Sequence, residues 1–176
     1  MTEGTCELAF MKVLLEKGLL KITRRELLGE QIFHLRQIKG EVEVLIQLIK
    51  NNDLVDIFRV GDKLNDKLKL PKTILASKIK TVKDYCILPE FEILLLLHEN
   101  LYETFLKNKS KSKPSEFYKS NHRDYNKQYK YVYDYFFKLG EKEIIDSIHL
   151  YNKKRQKSHN KNQHLISELL KESDSF

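Results

Sequence analysis

The stretch LVDIFRVGD, residues 54–62, limits the possible folds more than any other part of the chain. Val55, Ile57 and Val60 are β-branched and Gly61 breaks the run, which is the pattern of a strand. Before it, EQIFHLRQIKGEVEVLIQLIKNN repeats Val42, Leu45, Ile46 and Ile49 at helical spacing and stops at two asparagines. After it, KTVKDYCI (residues 80–87) is a second candidate strand. Strands interleaved with helices predict an α/β layer structure with a mostly parallel, small sheet flanked by helices.

The remaining segments are mostly helical. From Cys6 to Leu20 the apolar residues are dense, with Thr5 as expected N-cap and Gly18 as expected C-cap of a helix of about three turns. LKITRREL is compatible with a short strand. Pro89 is expected to open a helix, with Glu90 and Glu92 in the first turn, where the helix dipole favours acids. Residues 107–124 carry five lysines between Lys107 and Lys119, one proline and few aliphatics, and read as a basic loop. Then come two helical patterns. Tyr125, Tyr129, Val132, Phe136 and Leu139 form one stripe ending at Gly140. Ile144, Ile145, Ile148 and Tyr151 form the inner face of the next, with Leu150 off it. A polar KSHNKNQ loop and a short amphipathic HLISELLK close the chain. The division is an α/β core over 1–106, the basic loop over 107–124 and a helical extension of the same domain over 125–176.

Composition narrows the function. A chain of 176 residues, 41% hydrophobic, is long enough for one domain with a buried core. Its densest apolar run, FEILLLLHENLYETFL, is broken by His98, Glu99 and Asn100, too soon for a membrane span. The amino end lacks a basic region followed by an apolar stretch, so no signal peptide is expected. Only Cys6 and Cys86 are present, which argues against a disulfide framework or zinc site and for a cytoplasmic setting. The net charge of +7 suits a polyanionic partner, nucleic acid being the usual one.

Two acidic clusters adjoin glycines at expected strand ends. One is Glu3-Gly4 with Glu7, the other Asp62 and Asp66 in VGDKLND. Strands of a parallel sheet end on one edge, where ligands bind, so residues about 60 positions apart converge there. Carboxylates so gathered repel unless a cation neutralises them, and hard oxygen ligands favour Mg²⁺ or Mn²⁺. Such a centre performs phosphodiester chemistry.

These residues resemble the motifs of Toprim-fold proteins. TEGTCELAFMKVLLEKGLL is similar to their glutamate motif, in which a strand ends in Glu-Gly and a helix begins. VDIFRVGDKLND looks like their aspartate motif. ILPEFEILLLLHENLYETF, with the Lys-Pro-Ser-Glu-Phe-Tyr-Lys run after it, is similar to small defence-associated Toprim relatives of the OLD-nuclease type. The likeness covers roughly residues 2–119. It implies a Mg²⁺-dependent nuclease, possible in bacterial anti-phage defence, with Glu3 as general acid/base and metal contact. Asp62 and Asp66 would hold the metal, and Glu7 or Glu90 would support them. Only Met1 and Thr2 precede Glu3, where the family places a strand, and three residues separate Asp62 from Asp66, where it places one. The alternative is therefore a catalytically inactive Toprim-like adaptor that binds nucleic acid or a partner protein.

Lys63, Lys107, Lys109, Lys111, Lys113, Lys119 and Arg123 are the candidate phosphate contacts, with Phe117 and Tyr118 able to stack on bases. The tyrosine-rich helix offers surface for a homo-oligomer. His34 and His98 lack partners at metal spacing and read as core or surface residues. The spacing of Arg155 and His159 resembles that of HEPN-type helical ribonucleases, short by one residue.

Overall fold

Three parallel strands build the sheet in a computed structural model that describes residues 1–34, 49, 54–61, 77–87, 91–155 and 164–171. They are β1 (Val55–Gly61), β2 (Ile79–Cys86) and β3 (His164–Leu165), in the order β1-β2-β3. Register runs from Asp56 opposite Thr81 to Gly61 opposite Cys86, with an irregularity after Val55. On the free side of β1, Thr2 takes the place of a further strand. It is bridged in parallel to both Val60 and His34. The Glu3 N–H donates to the Val60 carbonyl (3.0 Å) and the Val60 N–H to the Met1 carbonyl (2.9 Å). A single bridged residue thus stands where a full strand was expected. It is enough to carry Glu3 to the sheet edge at which β1 and β2 end.

Six α-helices are described: α1 (Thr5–Glu16), α2 (Glu92–His98), α3 (Tyr102–Asn108), α4 (Pro114–Asn121), α5 (Tyr129–Lys138) and α6 (Glu141–Arg155). α1 begins one residue earlier than the Thr5 cap predicts, with Gly4 as N-cap. It ends as expected around Gly18, which adopts φ +66°. The Leu19 N–H donates to the Leu14 carbonyl (2.9 Å) and that of Gly18 to Leu15 (3.0 Å), the paired bonds of a left-handed helix stop. α2 ends in the same way at Asn100 (φ 58°), with Leu101 donating to Leu96 (2.8 Å). Asparagine is among the few residues other than glycine that tolerate this conformation.

The apolar run shows no face because it needs none. Ile93, Leu94, Leu95, Leu96 and Leu97 are all buried, as befits a short helix surrounded on every side. Phe10 of α1 lies 4.6 Å from Phe136 of α5 and 5.7 Å from Phe91, so the sheet-covering helix and the tyrosine-rich helix share one core. On α6, Ile144, Ile148 and Tyr151 are fully buried while Leu150 is exposed, in line with the expected face; Ile145 is only partly buried.

Three local expectations are corrected. LKITRREL contributes only a single antiparallel bridge, Leu20 to Leu170, in place of a strand: residues Arg24–Glu26 make a 3₁₀ turn, stabilised by the Glu26 carboxylate accepting from the Thr23 N–H (2.8 Å) and hydroxyl (2.7 Å). Residues 107–124 are not a loop throughout. α3 runs on to Asn108, and α4 starts at Pro114, whose fixed φ suits the first helical position. The Glu116 carboxylate accepts the Lys113 N–H (3.1 Å), and Tyr118 on the inner side of α4 is fully buried. HLISELLK is β3 followed by a 3₁₀ turn over Ile166–Leu169 rather than an α-helix. Of the helix expected over residues 30–52, the described stretch 31–34 is not helical, and His34 is instead bridged to Thr2; most of the remainder, and the helix opening expected at Pro89, lie outside the described residues.

Candidate active site

The period of two along β1 separates two faces. Phe58 and Val60 join Thr2, Met11 and Leu15 around a small apolar cavity under α1. Arg59 and Gly61 point the other way, and Glu3 joins them. A β-carbon added at Gly61 would sit 2.4 Å from Glu3 Oε2 and 2.7 Å from its Cδ. The carboxylate therefore occupies the space that the glycine leaves, directly before Asp62 in sequence.

Arg59 is only 2% exposed. Its Nε lies 3.0 Å from Asp84 Oδ1, on the neighbouring position of β2, and 3.8 Å from Glu3 Oε1. The Asp84 contact is an ion pair whose angle falls short of a hydrogen bond. Burying a guanidinium demands such compensation, because an isolated charge is very costly to desolvate. Glu3 and Asp84 keep side-chain exposures of 17% and 30%, although the Asp84 Oδ1 that faces Arg59 is buried.

Glu7 is buried, and its carboxylate folds back over Gly4, where an added β-carbon would overlap Glu7 Oε2. That places it at the α1 N-terminus, where the helix dipole favours an acid. Asp62, Lys63, Asp66, Glu90 and His159 lie outside the described residues. Of the two acids near Pro89, Glu92 is described. It is 2% exposed, accepts the Tyr125 hydroxyl at 2.6 Å and pairs with Lys127 at 3.0 Å. Burial, then Glu7 and Glu92, push the nearby Cys6 thiol up to about 12, so it is a protonated, unreactive sulfhydryl.

Lys107 on α3, Lys119 on α4, and Lys109, Lys111, Lys113 and Arg123 in the segments flanking α4 are all exposed. The stacking role expected for Tyr118 is corrected: it has no exposed surface, and Phe117 packs against Phe105 at 5.6 Å.

A second polar cluster was not foreseen. Glu99, at the end of α2, accepts the hydroxyls of Tyr118 (2.7 Å) and Tyr135 (3.0 Å) on Oε1, and its Oε2 lies 2.6 Å from His122 Nε2. His98, expected to be a core or surface residue rather than a metal ligand, has Nδ1 2.6 Å from the Tyr135 hydroxyl. Desolvation raises the Tyr118 phenol far above its usual range, with the Tyr131 and Glu99 contacts adding to the effect. The signal for this cluster was the HEN triplet interrupting the apolar run; its partners come from two other helices. Arg59 and Asp84 were also missed, although a charge between Phe58 and Val60 marks the strand's second face.

Carboxylate oxygens at a strand edge are the donor class that Mg²⁺ takes. Among the described residues no group of three His, Cys, Asp or Glu side chains is placed to hold a metal ion, so a full ligand set would need Asp62 and Asp66 beside Glu3. No described helix is long and apolar enough to cross a membrane. No family model, curated protein or solved structure was found to match the chain.

Proposed function

We propose that this chain is a Toprim-like, Mg²⁺- or Mn²⁺-dependent nucleic-acid phosphodiesterase. The observation that carries the reading is the Glu3 carboxylate seated on Gly61 at the edge where parallel strands end, one residue ahead of the aspartate-containing segment. Glu3, Asp62 and Asp66 are the residues that would hold the metal. Bound there, the cation supplies Lewis-acid polarisation of the scissile phosphate and a more acidic attacking water. Glu3, partly exposed, takes up or returns the proton. The exposed lysines on and around α3 and α4 neutralise phosphates and draw the strand in. A defence setting rests on the sequence resemblance alone.

A second reading, an inactive adaptor that binds nucleic acid or a partner protein, is favoured by one observation. Arg59 already offsets the charge of Glu3, which lessens that residue's need for a metal. The test is cleavage of single- and double-stranded DNA and RNA with Mg²⁺, Mn²⁺ or EDTA, beside Asp62→Ala. Metal-dependent cutting that disappears in the variant supports the enzyme. Binding without cutting under every condition overturns it and leaves the adaptor.

A further inference from the structure

The geometry points to His122 as a second reactive centre, a carboxylate-held imidazole that acts as general base in metal-free cleavage of RNA. It shares only the basic segment with the reading above and uses no residue of the sheet edge. The hydrogen bonds around Glu99 fix where the imidazole proton lies. Tyr118 (2.7 Å) and Tyr135 (3.0 Å) both donate to Glu99 Oε1. A carboxylate only accepts, so His122 Nε2, 2.6 Å from Oε2, is a donor as well. The neutral ring therefore carries its proton on Nε2 and its lone pair on Nδ1. Nδ1 has no hydrogen-bond partner among the described residues and is not shut off from water; 29% of the side chain is exposed. The ring is also held in place. It stacks on Tyr118 at 4.3 Å with 19° between the planes, and the His122 N–H donates to the Tyr118 carbonyl (3.0 Å) at the end of α4.

The surroundings select the substrate. Lys119, one helical turn earlier, and Arg123, next in sequence, are exposed, in a segment whose cations attract a polyanion. A base working without a metal needs a nucleophile already held against the phosphorus. RNA brings one, the ribose 2′-hydroxyl, and DNA does not. Nδ1 takes the proton of that hydroxyl, the 2′-oxygen bonds to phosphorus, and the bond from phosphorus to the 5′-oxygen breaks. The departing oxygen takes a proton from water, and the imidazolium returns its own to the hydroxide left behind. The new ends are a 2′,3′-cyclic phosphate and a 5′-hydroxyl. Lys119 and Arg123 offset the charge that gathers on the phosphate oxygens. Glu99 touches no substrate and is a positioning residue.

The test incubates single-stranded RNA and DNA of one sequence with the full chain in EDTA and identifies the product ends by mass spectrometry. RNA cut to cyclic-phosphate ends, with the DNA intact, is the expected result. His122→Ala should cut about 100-fold more slowly or worse, and added imidazole should restore cutting in His122→Gly. In Glu99→Gln the two phenols keep the amide oxygen, so the amide N–H faces Nε2 and the ring proton moves to Nδ1. Its kcat should fall about 100-fold or more with KM unchanged, a split that lost stability alone does not produce. RNA left intact by the parent in EDTA overturns the inference. So does His122→Ala cutting at the parent's rate, or Glu99→Gln with the parent's kcat. The enzyme reading above is tested with Mg²⁺ or Mn²⁺ present, so either can fail while the other stands.

Discussion

Replacing Glu99 by alanine should be among the most damaging single changes outside the apolar core. The Tyr118 hydroxyl it accepts is attached to a side chain with no exposed surface, so water cannot replace the lost acceptor and only the long contact to the Tyr131 hydroxyl (3.4 Å) remains. A hydrogen bond to a charged group contributes about 1.5–3 kcal/mol, and a buried hydroxyl left poorly satisfied costs about 1–3 kcal/mol. Tyr135 suffers less, because its oxygen retains His98 as a partner. The half-exposed His122 pair adds less than about 1 kcal/mol after solvent screening. The sum is about 3–4 kcal/mol for Glu99→Ala, against about 1 kcal/mol for Glu99→Gln, which keeps an acceptor for both phenols. For a chain of this size that lowers the melting midpoint by roughly 6–16 °C in the alanine variant. Urea unfolding followed by circular dichroism at neutral pH measures it. In a double-mutant cycle with Tyr118→Phe, the coupling should be about 1.5 kcal/mol or more, since the phenylalanine variant no longer needs the acceptor. A Glu99→Ala protein within about 0.5 kcal/mol of the parent, or a coupling near zero, would refute the account of the cluster.

Gly61→Ala should leave stability within about 1 kcal/mol, because the added methyl meets the flexible end of Glu3 rather than backbone, yet it should displace that carboxylate and cut Mn²⁺ affinity about tenfold or more; equal binding by calorimetry would remove the glycine seat from the argument. Cys6, whose thiol is raised from 9.0 to about 12, stays protonated in the folded chain where the unfolded one ionises, so stability should fall by up to about 1.4 kcal/mol per pH unit as pH rises from 9 towards 12. Denaturant midpoints at pH 8 and pH 10 for the parent and Cys6→Ser test this, the variant being expected to lose less. Gly18→Ala places a β-carbon on a residue at φ +66° and should cost about 1–2 kcal/mol, measurable as a lower urea midpoint. Phe136→Ala removes the ring that Phe10 and Phe91 both touch and should cost about 3–5 kcal/mol, enough to unfold much of the population.

How much the sequence disclosed depended on the range of the interaction involved. β1, β2, α1 and the inner face of α6 are written in short periodicities, which survive whatever the rest of the chain does. The Thr2 bridge is invisible to such reading, because a single residue has no period and its pairing is decided by Val60 and His34. Residues 107–124 mislead through composition: their lysines dominate the count, while Pro114, Glu116 and Tyr118 decide the conformation. The approach of Glu3 to Gly61 follows the parallel-edge argument, but the insertion of Arg59 between Glu3 and Asp84 needs the register of β1 on β2. Glu99 needs three helices at once, and no local pattern announces them.

The tyrosines after residue 124 act as guests at hosts that precede it: Tyr125 serves Glu92, Tyr135 serves Glu99, and Tyr133 reaches Glu16. A version pared back to its α/β layer would hence retain every strand-edge carboxylate considered above and still be unsound. It would bury Glu92 with its phenol partner gone and lay bare the side of α1 that Phe136 covers. The helical end is accordingly no detachable appendage, and shortening experiments should begin from the opposite assumption, that both halves mature together.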